Sequence, residues 1–203
     1  MSNKQHWENV FTTKGPQEVS WFQEYPKTAI DYIEGIKLPK TAHIIDIGGG
    51  DSNLAGALVD KGFTNITVLD ISEAALQKAK ERLGSKANEI NWIVSDITEF
   101  STDTKFDFWY DRAVFHFLTS EEAIAKYLAV VEDAVVQQGD FLLGTFSENG
   151  PLKCSGLEIK QYSEMDMRAA FAKAFEPLKC FTEAHPTPFG TVQDFQFCGF
   201  KKM

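Results

Sequence analysis

The stretch HIIDIGGGDS, residues 43–52, decides the fold of this chain. The apolar residues around Asp46 predict a buried β-strand, and three consecutive glycines follow it. These glycines are Gly48, Gly49 and Gly50. Glycine has no Cβ, so the backbone of such a turn can approach a ligand closely. Asp51 or Ser52 then offers an oxygen to cap a helix that starts at Leu54. The stretch therefore predicts a ligand cradle made of a strand, a glycine turn and a helix N-terminus.

From this point onward, strand-like and helical patterns alternate along the chain. Strands are predicted at 43–47, 65–69, 90–94, 106–110 and 140–146, and helices at 52–61, 72–83, 120–136 and 163–174. Two final strand-like runs, 178–184 and 192–200, flank a turn that contains prolines and a glycine, which predicts an antiparallel hairpin. The pattern predicts an α/β, Rossmann-like doubly wound fold. Its seven-stranded sheet is mostly parallel, with helices on both faces and the antiparallel hairpin at the C-terminal end.

The length of 203 residues is that of one domain, and we expect residues 1–203 to form a single unit. Residues 1–35 are rich in aromatic side chains and predict a cap on the Rossmann-like core of residues 40–203. Within the cap, apolar spacing from 20 to 35 predicts a helical face, preceded by a loop around residues 12–18.

Composition narrows the classes of partner. The net charge of −9 argues against non-specific binding to nucleic acid or to an anionic membrane. No apolar run is long enough to span a bilayer, and the N-terminus lacks the apolar core of a signal peptide, so we expect a cytoplasmic protein. The three cysteines form no CxxC pair, which predicts neither a disulfide framework nor a metal site. No feature of the sequence indicates an oligomeric state.

Acidic residues recur at the predicted carboxyl ends of the strands, where open α/β sheets bind ligands. They are Asp46, Asp51, Asp70, Asp96 and Asp111. Asp70 lies 22 residues after Gly48, the spacing at which an acid accepts hydrogen bonds from a ribose. The competing role for Asp70, capping the next helix, can be filled by Ser72.

The cradle departs from a dinucleotide fingerprint, G-x-G-x-x-G, because Asn53 stands where the last glycine would be. Asp51 places a carboxylate in the turn, which would repel a pyrophosphate and favour an ammonium or a sulfonium. S-adenosylmethionine (SAM) is a nucleoside with such a cationic second half. Asp46 or Asp51 would face its amino-acid end, and Asp70 its ribose. Asp96 with Ile97 would face its adenine edge.

Four segments, IIDIGGGDS, VLDIS, VSDITEF and YDRAVFHFL, resemble in order and spacing the successive motifs of class I SAM-dependent methyltransferases. The resemblance covers about residues 40–145. It implies that Gly48–Gly50 form the glycine loop, that Asp70 is the ribose acid and that Asp96 lies on the adenine side. The segments WENVFTT and EVSWFQ and the DR step are similar to the branch that contains thiopurine and small-molecule methyltransferases.

Certain protein-lysine methyltransferases share these features. In the thiopurine type, an arginine that matches Arg112 faces the substrate, and an N-terminal tryptophan, matched here by Trp21, lines the cofactor pocket. The motif (N/D)PPY of enzymes that methylate DNA amino groups or protein glutamine is absent, because the fourth strand ends in YDRA.

The candidate site residues follow from these patterns and from the resemblance. We expect cofactor contacts from Trp21, Asp46, Gly48, Gly49, Gly50, Asp51, Asp70, Ile71, Asp96, Ile97 and Asp111. Arg112 and His116 are the candidates that face the substrate. His116 is the nearest possible base, although its position also suits a histidine packed against the sheet.

The predicted function is transfer of a methyl group from SAM to a sulfur, nitrogen or oxygen atom of a small-molecule acceptor, by in-line displacement. Holding the nucleophile in line contributes on the order of 7–11 kcal/mol to such a reaction. The alternatives are a protein-lysine methyltransferase, a non-catalytic SAM-fold binding module and, against the argument from Asp51, an NAD-dependent oxidoreductase.

Overall fold

The computed structural model describes residues 3–203 and shows an α/β fold. Its α-helices are α1 (Asn3–Thr13), α2 (Lys27–Gly35), α3 (Leu54–Asp60), α4 (Glu73–Leu83), α5 (Glu121–Ala134) and α6 (Glu164–Phe171). Its strands are β1 (His43–Ile47), β2 (Asn65–Asp70), β3 (Ile90–Val94), β4 (Phe106–Arg112), β5 (Val135–Phe146), β6 (Lys153–Cys154), β7 (Leu157–Glu158), β8 (Phe175–Pro186) and β9 (Val192–Lys202).

Seven of these strands form one sheet in the order β3-β2-β1-β4-β5-β9-β8. The first five run parallel, whereas β9 pairs antiparallel with both β5 and β8. The predicted fold class is thereby confirmed. Strand order reverses between β1 and β4, so the ligand crevice of an open α/β sheet is expected at their carboxyl ends. β6 and β7 form a separate two-stranded ribbon.

The central strands of the sheet are buried on both faces, and alternate residues of each strand face opposite layers. Ile44 packs with α2 and α3 on one face, and its neighbour Ile45 packs with α5 and α6 on the other. Phe108 and Trp109 of β4 alternate in the same way. Two apolar layers therefore hold the strand ends that carry the acidic residues in fixed positions.

The N-terminal cap differs from its predicted form. Residues 3–13 form a helix, and the second helix begins at Lys27 and not near residue 20. Pro26 explains the late start, because a proline disfavours helical backbone in the residue before it. α1 docks on α4 through Glu8, whose carboxylate accepts hydrogen bonds from the backbone N–H groups of Glu73 (2.7 Å) and Ala74 (3.1 Å). A carboxylate at a helix N-terminus is favourable for the helix dipole.

Two further predictions are corrected by the structure. The predicted helix 120–136 ends at Ala134, because Val135 already pairs with Phe106 of β4. Cys180 and Cys198 lie opposite each other in β8 and β9 and form a disulfide, with a Cα–Cα distance of 4.1 Å. Their spacing along the chain gave no sign of this pair, because only the hairpin register brings them together.

Within residues 3–203, no helix combines the length and the apolar composition needed to cross a membrane.

Close packing of β5 against β9 gives a stability prediction. A Cβ at Gly144 would lie 2.4 Å from a ring carbon of Phe197, so Gly144→Ala should destabilise the fold by about 1–3 kcal/mol through overpacking. Gly35→Ala is the matched control, because a Cβ there meets nothing within 4 Å and alanine favours the helix. Urea unfolding of the two variants should give opposite shifts of the midpoint. Equal shifts would contradict the packing described here.

Candidate active site

The glycine turn lies at the carboxyl ends of β1 and β2 and is held by backbone hydrogen bonds. The N–H groups of Gly48 and Gly49 donate to the carbonyl of Leu69 at 2.7 and 3.3 Å. Gly48 and Gly50 have φ angles of +65° and +41°, a region that favours glycine. A Cβ at Gly48 would lie 2.0 Å from the Val114 side chain. The turn is therefore closed to any larger residue.

The first turn of α3 is fixed from two sides. The hydroxyl of Ser52 accepts a hydrogen bond from the N–H of Leu54 at 3.2 Å. Asp51 forms an ion pair with Arg82 of α4, whose Nε and Nη2 donate to the same carboxylate oxygen at 3.0 and 2.7 Å. Asp51 still lines the cavity above the turn, but Arg82 offsets its charge. The predicted attraction of Asp51 for a cation is thereby weakened.

Asp46 is a buried acid beneath the turn, and it forms no ion pair within residues 3–203. Its side chain is 3% exposed, and its one hydrogen bond is accepted from the Ser52 hydroxyl at 3.3 Å. A Cβ at Gly49 would lie 2.6 Å from an Asp46 carboxylate oxygen, so the carboxylate lies directly under the turn. Burial raises the pKa of Asp46 to about 8. A cationic ligand would restore its charged form.

Asp70 ends β2 beside the same turn. Its Oδ1 accepts a hydrogen bond from the N–H of Ser72 at 2.8 Å, while the Ser72 hydroxyl caps α4. Burial, with a contribution from the nearby Glu8 carboxylate, raises the pKa of Asp70 to about 7. The backbone N–H groups of Gly50 and Ile71 also donate to this carboxylate. Because the Ser72 hydroxyl caps the helix, the acceptor capacity of Asp70 that remains can serve a ligand.

A third acid, Asp96, follows β3. Its Oδ1 accepts hydrogen bonds from the backbone N–H (2.9 Å) and the hydroxyl (2.8 Å) of Thr98, which fixes the turn at residues 97–99. Ile71 and Ile97 add apolar surface beside it. An acid flanked by two isoleucines suits a flat heterocycle with an amino group at its edge.

Two adjoining cavities run across these residues. One is bounded by the glycine turn, Asp46, Asp51, Tyr110 and the segment 14–26, and the other by Asp70, Ile71, Asp96, Ile97, Cys154 and Phe195. Both are lined by Phe11, Trp21, Gly48 and Arg112. The structure thus brings most of the predicted cofactor residues to one continuous crevice under the cap.

The structure differs from the predictions at Asp111 and His116, neither of which lines these cavities. The Asp111 carboxylate is fully buried and accepts hydrogen bonds from the Tyr127 hydroxyl (2.6 Å) and from the N–H of Val114 (2.9 Å). It therefore stabilises the turn after β4.

His116 is also fully buried, and its Nδ1 accepts a hydrogen bond from the N–H of Phe146 at 3.2 Å. Burial, assisted by the charge of Arg112, lowers the pKa of His116 to about 3. With Nδ1 engaged as an acceptor, the neutral ring carries its proton on Nε2 and has no free lone pair for a substrate proton.

Arg112 lies where β4 ends, and the residue after it is strained. Ala113 has a φ of +74°, which costs an alanine of order 1–3 kcal/mol, and its N–H donates to the carbonyl of Gly144 at 2.8 Å. The strained position turns the chain sharply beside the crevice. No sequence pattern predicts it, since alanine gives no signal for a positive φ.

Other lining residues escaped the sequence analysis. Phe11, Tyr110, Cys154 and Phe195 come from four separate parts of the chain. The aromatic composition of residues 1–35 is a sequence signal for Phe11, but it is equally consistent with packing of the cap and with binding of a ligand.

Three features of the crevice match the chemical groups of SAM. Asp46 is a buried acid with little neutralisation beneath a turn that admits no Cβ, which suits the cationic amino-acid half. Asp70 offers an acceptor for ribose hydroxyls, and Asp96 with the two isoleucines offers an adenine site. Within residues 3–203, no group of three or more His, Cys, Asp or Glu side chains is placed to hold a metal ion.

Comparisons with known proteins agree with this fit. A family model described as "Methyltransferase domain" matches residues 44–139. The mouse eEF1A lysine and N-terminal methyltransferase is 26% identical over 217 residues, which cover 95% of this chain and 30% of that protein. The zebrafish EEF1A lysine methyltransferase 2 is 28% identical over 158 residues, which cover 70% of this chain and 68% of that protein.

Solved structures share the fold. One, from a study of the conversion of a disulfide bond into a thioacetal group during echinomycin biosynthesis, superposes with a TM-score of 0.79 at 16% identity, covering 98% of this chain and 92% of that one. The N-methyltransferase NodS from Bradyrhizobium japonicum, in complex with S-adenosylhomocysteine, gives 0.68 at 15% identity, covering 99% of each chain.

The chain carries a methyltransferase domain in residues 44–139, and its crevice fits SAM as the cofactor. It spans under a third of the length of the mouse relative. The match to a methyltransferase domain sets aside the hypothesis of an NAD-dependent oxidoreductase.

The buried carboxylate of Asp46 predicts a pH-dependent stability. Its pKa is raised from 3.8 to about 8 in the fold, so the folded state binds more protons than the unfolded state between those values. Stability from this group is greatest at low pH and is lost as the pH rises toward 8. Asp46→Asn should therefore raise the Tm of the ligand-free protein at pH 8 by on the order of 5 °C, and by less at pH 5. Scanning calorimetry at both pH values checks this, and a lower Tm at pH 8 would contradict it.

Cofactor binding should depend on Asp70. Asp70→Ala removes the proposed ribose acceptor and should weaken the binding of S-adenosylhomocysteine by about tenfold or more, since a hydrogen bond to a charged group contributes about 1.5–3 kcal/mol. Isothermal titration calorimetry measures the change, and Asp103→Ala, at an exposed loop position, is the control. Unchanged affinity in Asp70→Ala would remove Asp70 from the cofactor site.

Proposed function

We propose that this chain transfers the methyl group of SAM to an amino group of a protein, either a lysine side chain or an α-amino group. The observation that carries the proposal is the aromatic wall of the crevice. Trp7 lies with its ring centroid 5.7 Å from that of Trp21 and 5.1 Å from that of Phe117, and all three line the same cavity.

The aromatic wall suits the charge change at nitrogen. A neutral amine gains positive charge as it accepts a methyl group, and aromatic faces attract cations by about 0.5–2 kcal/mol. An interaction that strengthens as the charge develops accelerates the reaction and does not merely bind the substrate. When bound, SAM supplies a methyl group on a sulfonium, which is already activated for transfer.

The chain's own residues then have to hold the acceptor in line and keep water out. The cap supplies Trp7, Phe11 and Trp21 for both tasks. Burial in an apolar cavity lowers the pKa of an amine, because the charged form loses its hydration. An amine can therefore leave its proton in the solvent as it enters the cavity, so transfer does not require His116 as a base.

The comparisons support a protein acceptor. The mouse and zebrafish relatives are named for methylation of eEF1A, at lysine in both and also at the N-terminus in the mouse protein. The net charge of −9 favours a basic partner. The small-molecule acceptor expected from the sequence is kept as a second candidate, because the guanidinium of Arg112 lines the crevice and its buried Nε and Nη2 suit a small acid.

Labelled methyl transfer distinguishes the two candidates. The chain is incubated with SAM labelled in its methyl group and with a cell extract divided into protein and small-molecule fractions. We expect label in the protein fraction, recovered after hydrolysis as N-methylated lysine or an N-methylated terminal residue. Asp70→Ala, whose weaker binding of SAM should reduce the label at a limiting SAM concentration, is the control for label from other enzymes. Label confined to the small-molecule fraction would favour the second candidate.

A further inference from the structure

Arg112 is held rigidly in the middle of the crevice. Its Nη1 donates a hydrogen bond to the backbone carbonyl of Trp21 at 3.1 Å. Its guanidinium carbon lies 4.3 Å from the ring centroid of Phe195, a cation–π contact. These two contacts, from the cap and from β9, fix the plane of the guanidinium without using its other two nitrogens.

The other two nitrogens, Nε and Nη2, are buried and find no hydrogen-bond partner in residues 3–203. They lie on the same edge of the guanidinium and donate in parallel, which is the arrangement that binds both oxygens of a carboxylate. A buried donor without an acceptor costs about 1–3 kcal/mol, and more when it is charged. The fold therefore bears a cost that a bound carboxylate would relieve.

The other two arginines of the chain show the contrast. Arg82 pairs with Asp51 at 2.7 Å and Arg168 pairs with Glu164 at 2.8 Å. Arg112 forms no ion pair with a carboxylate in the described part of the chain, although it is the most deeply buried of the three.

Groups near Arg112 do not neutralise it. The Glu183 carboxylate accepts a hydrogen bond from the Thr28 hydroxyl. It favours the charged form of Arg112 from a distance, but the two side chains form no ion pair within residues 3–203. Burial raises the pKa of the Cys154 thiol to about 12, and it also raises that of the Tyr110 hydroxyl, so both stay protonated at neutral pH.

We propose that the Nε–Nη2 edge of Arg112 is a carboxylate-binding site. Two sources of the carboxylate reach it, because Arg112 lines both cavities. One is the α-carboxylate of the methionine half of the cofactor, next to the glycine turn. The other is an acid group on the acceptor, beside Cys154 and Phe195. A charged guanidinium would repel the positive charge that develops on an amine acceptor in the same crevice. A carboxylate of the cofactor would neutralise the guanidinium and remove this repulsion.

The proposal rests on SAM binding and not on the protein acceptor, so the two can fail separately. Calorimetry compares S-adenosylhomocysteine with 5′-methylthioadenosine, which shares its adenosine but has no amino-acid carboxylate. Arg112→Gln should weaken S-adenosylhomocysteine by about tenfold or more and leave methylthioadenosine within about twofold, if the cofactor supplies the carboxylate. Arg168→Gln, at an exposed arginine, is the matched control.

A second experiment tests whether the acceptor supplies the carboxylate. It uses nitrogen-15 NMR of the arginine Nε–H groups, because the chain has three arginines and so three such signals. Arg112→Lys, which keeps the charge, identifies the Arg112 signal by its loss. With S-adenosylhomocysteine saturating the protein, acetate and malonate are titrated as probes. A shift of the Arg112 signal, together with unchanged cofactor affinity in Arg112→Gln, would assign the carboxylate to the acceptor.

Two results would overturn the proposal. The first is a pair of null results: Arg112→Gln binds S-adenosylhomocysteine and methylthioadenosine with native affinity, and acetate and malonate do not shift the Arg112 signal of the native chain. The second is an equal loss of affinity for both nucleosides in an Arg112→Gln variant that is folded and has the native Tm. Methylthioadenosine has no carboxylate, so an equal loss could not come from a missing carboxylate contact.

Discussion

The site depends on the absence of side chains at residues 48–50. Three backbone units there lie against Asp46, Asp70 and Val114 at distances that no Cβ could share. This close approach lets the ends of three parallel strands converge on one crevice. Any side chain in the turn would displace the acids that give the crevice its charge. The positions of the acids therefore require glycine at residues 48–50.

The second feature of the site is its charge. Burial disfavours the charged forms of Asp46 and Asp70 and raises the pKa of both, whereas the guanidinium of Arg112 finds no carboxylate partner within residues 3–203. Buried groups of both signs cost stability in the ligand-free protein. A ligand with a sulfonium, an ammonium and a carboxylate can satisfy both signs at once. Binding of such a ligand relieves the free-energy cost of these buried groups, which favours it over ligands that lack one of the charges.

The cap completes the site from a distance in sequence. Glu8 docks α1 on α4, the carbonyl of Trp21 holds Arg112, and Phe11 reaches the glycine turn. Under the proposed function, acceptor selection depends on contacts between residues 3–26 and the sheet. Such contacts carry no local sequence signal, which is why the relatives, and not the motif pattern, redirected the expected acceptor from a small molecule toward a protein.

The sequence was most informative where the structure is local. Strand β1, the glycine turn and the spacing to Asp70 follow from periodicity and backbone geometry. Errors arose where tertiary contacts compete with local preference. Pro26 delayed α2, pairing with β4 converted the end of the predicted helix 120–136 into strand, and hairpin register joined two cysteines that are distant in the chain.

The sequence by itself determined the fold class, the glycine cradle and the cofactor, because each depends on spacing within one βα unit. Only the tertiary structure decided what each charged residue contacts. It paired Asp51 with Arg82, turned Asp111 inward to Tyr127 and left one edge of Arg112 without a partner among the described residues. The physical reason is that the pKa and the hydrogen bonds of a buried group depend on every element packed around it. Those elements are brought together by folding and not by order along the chain.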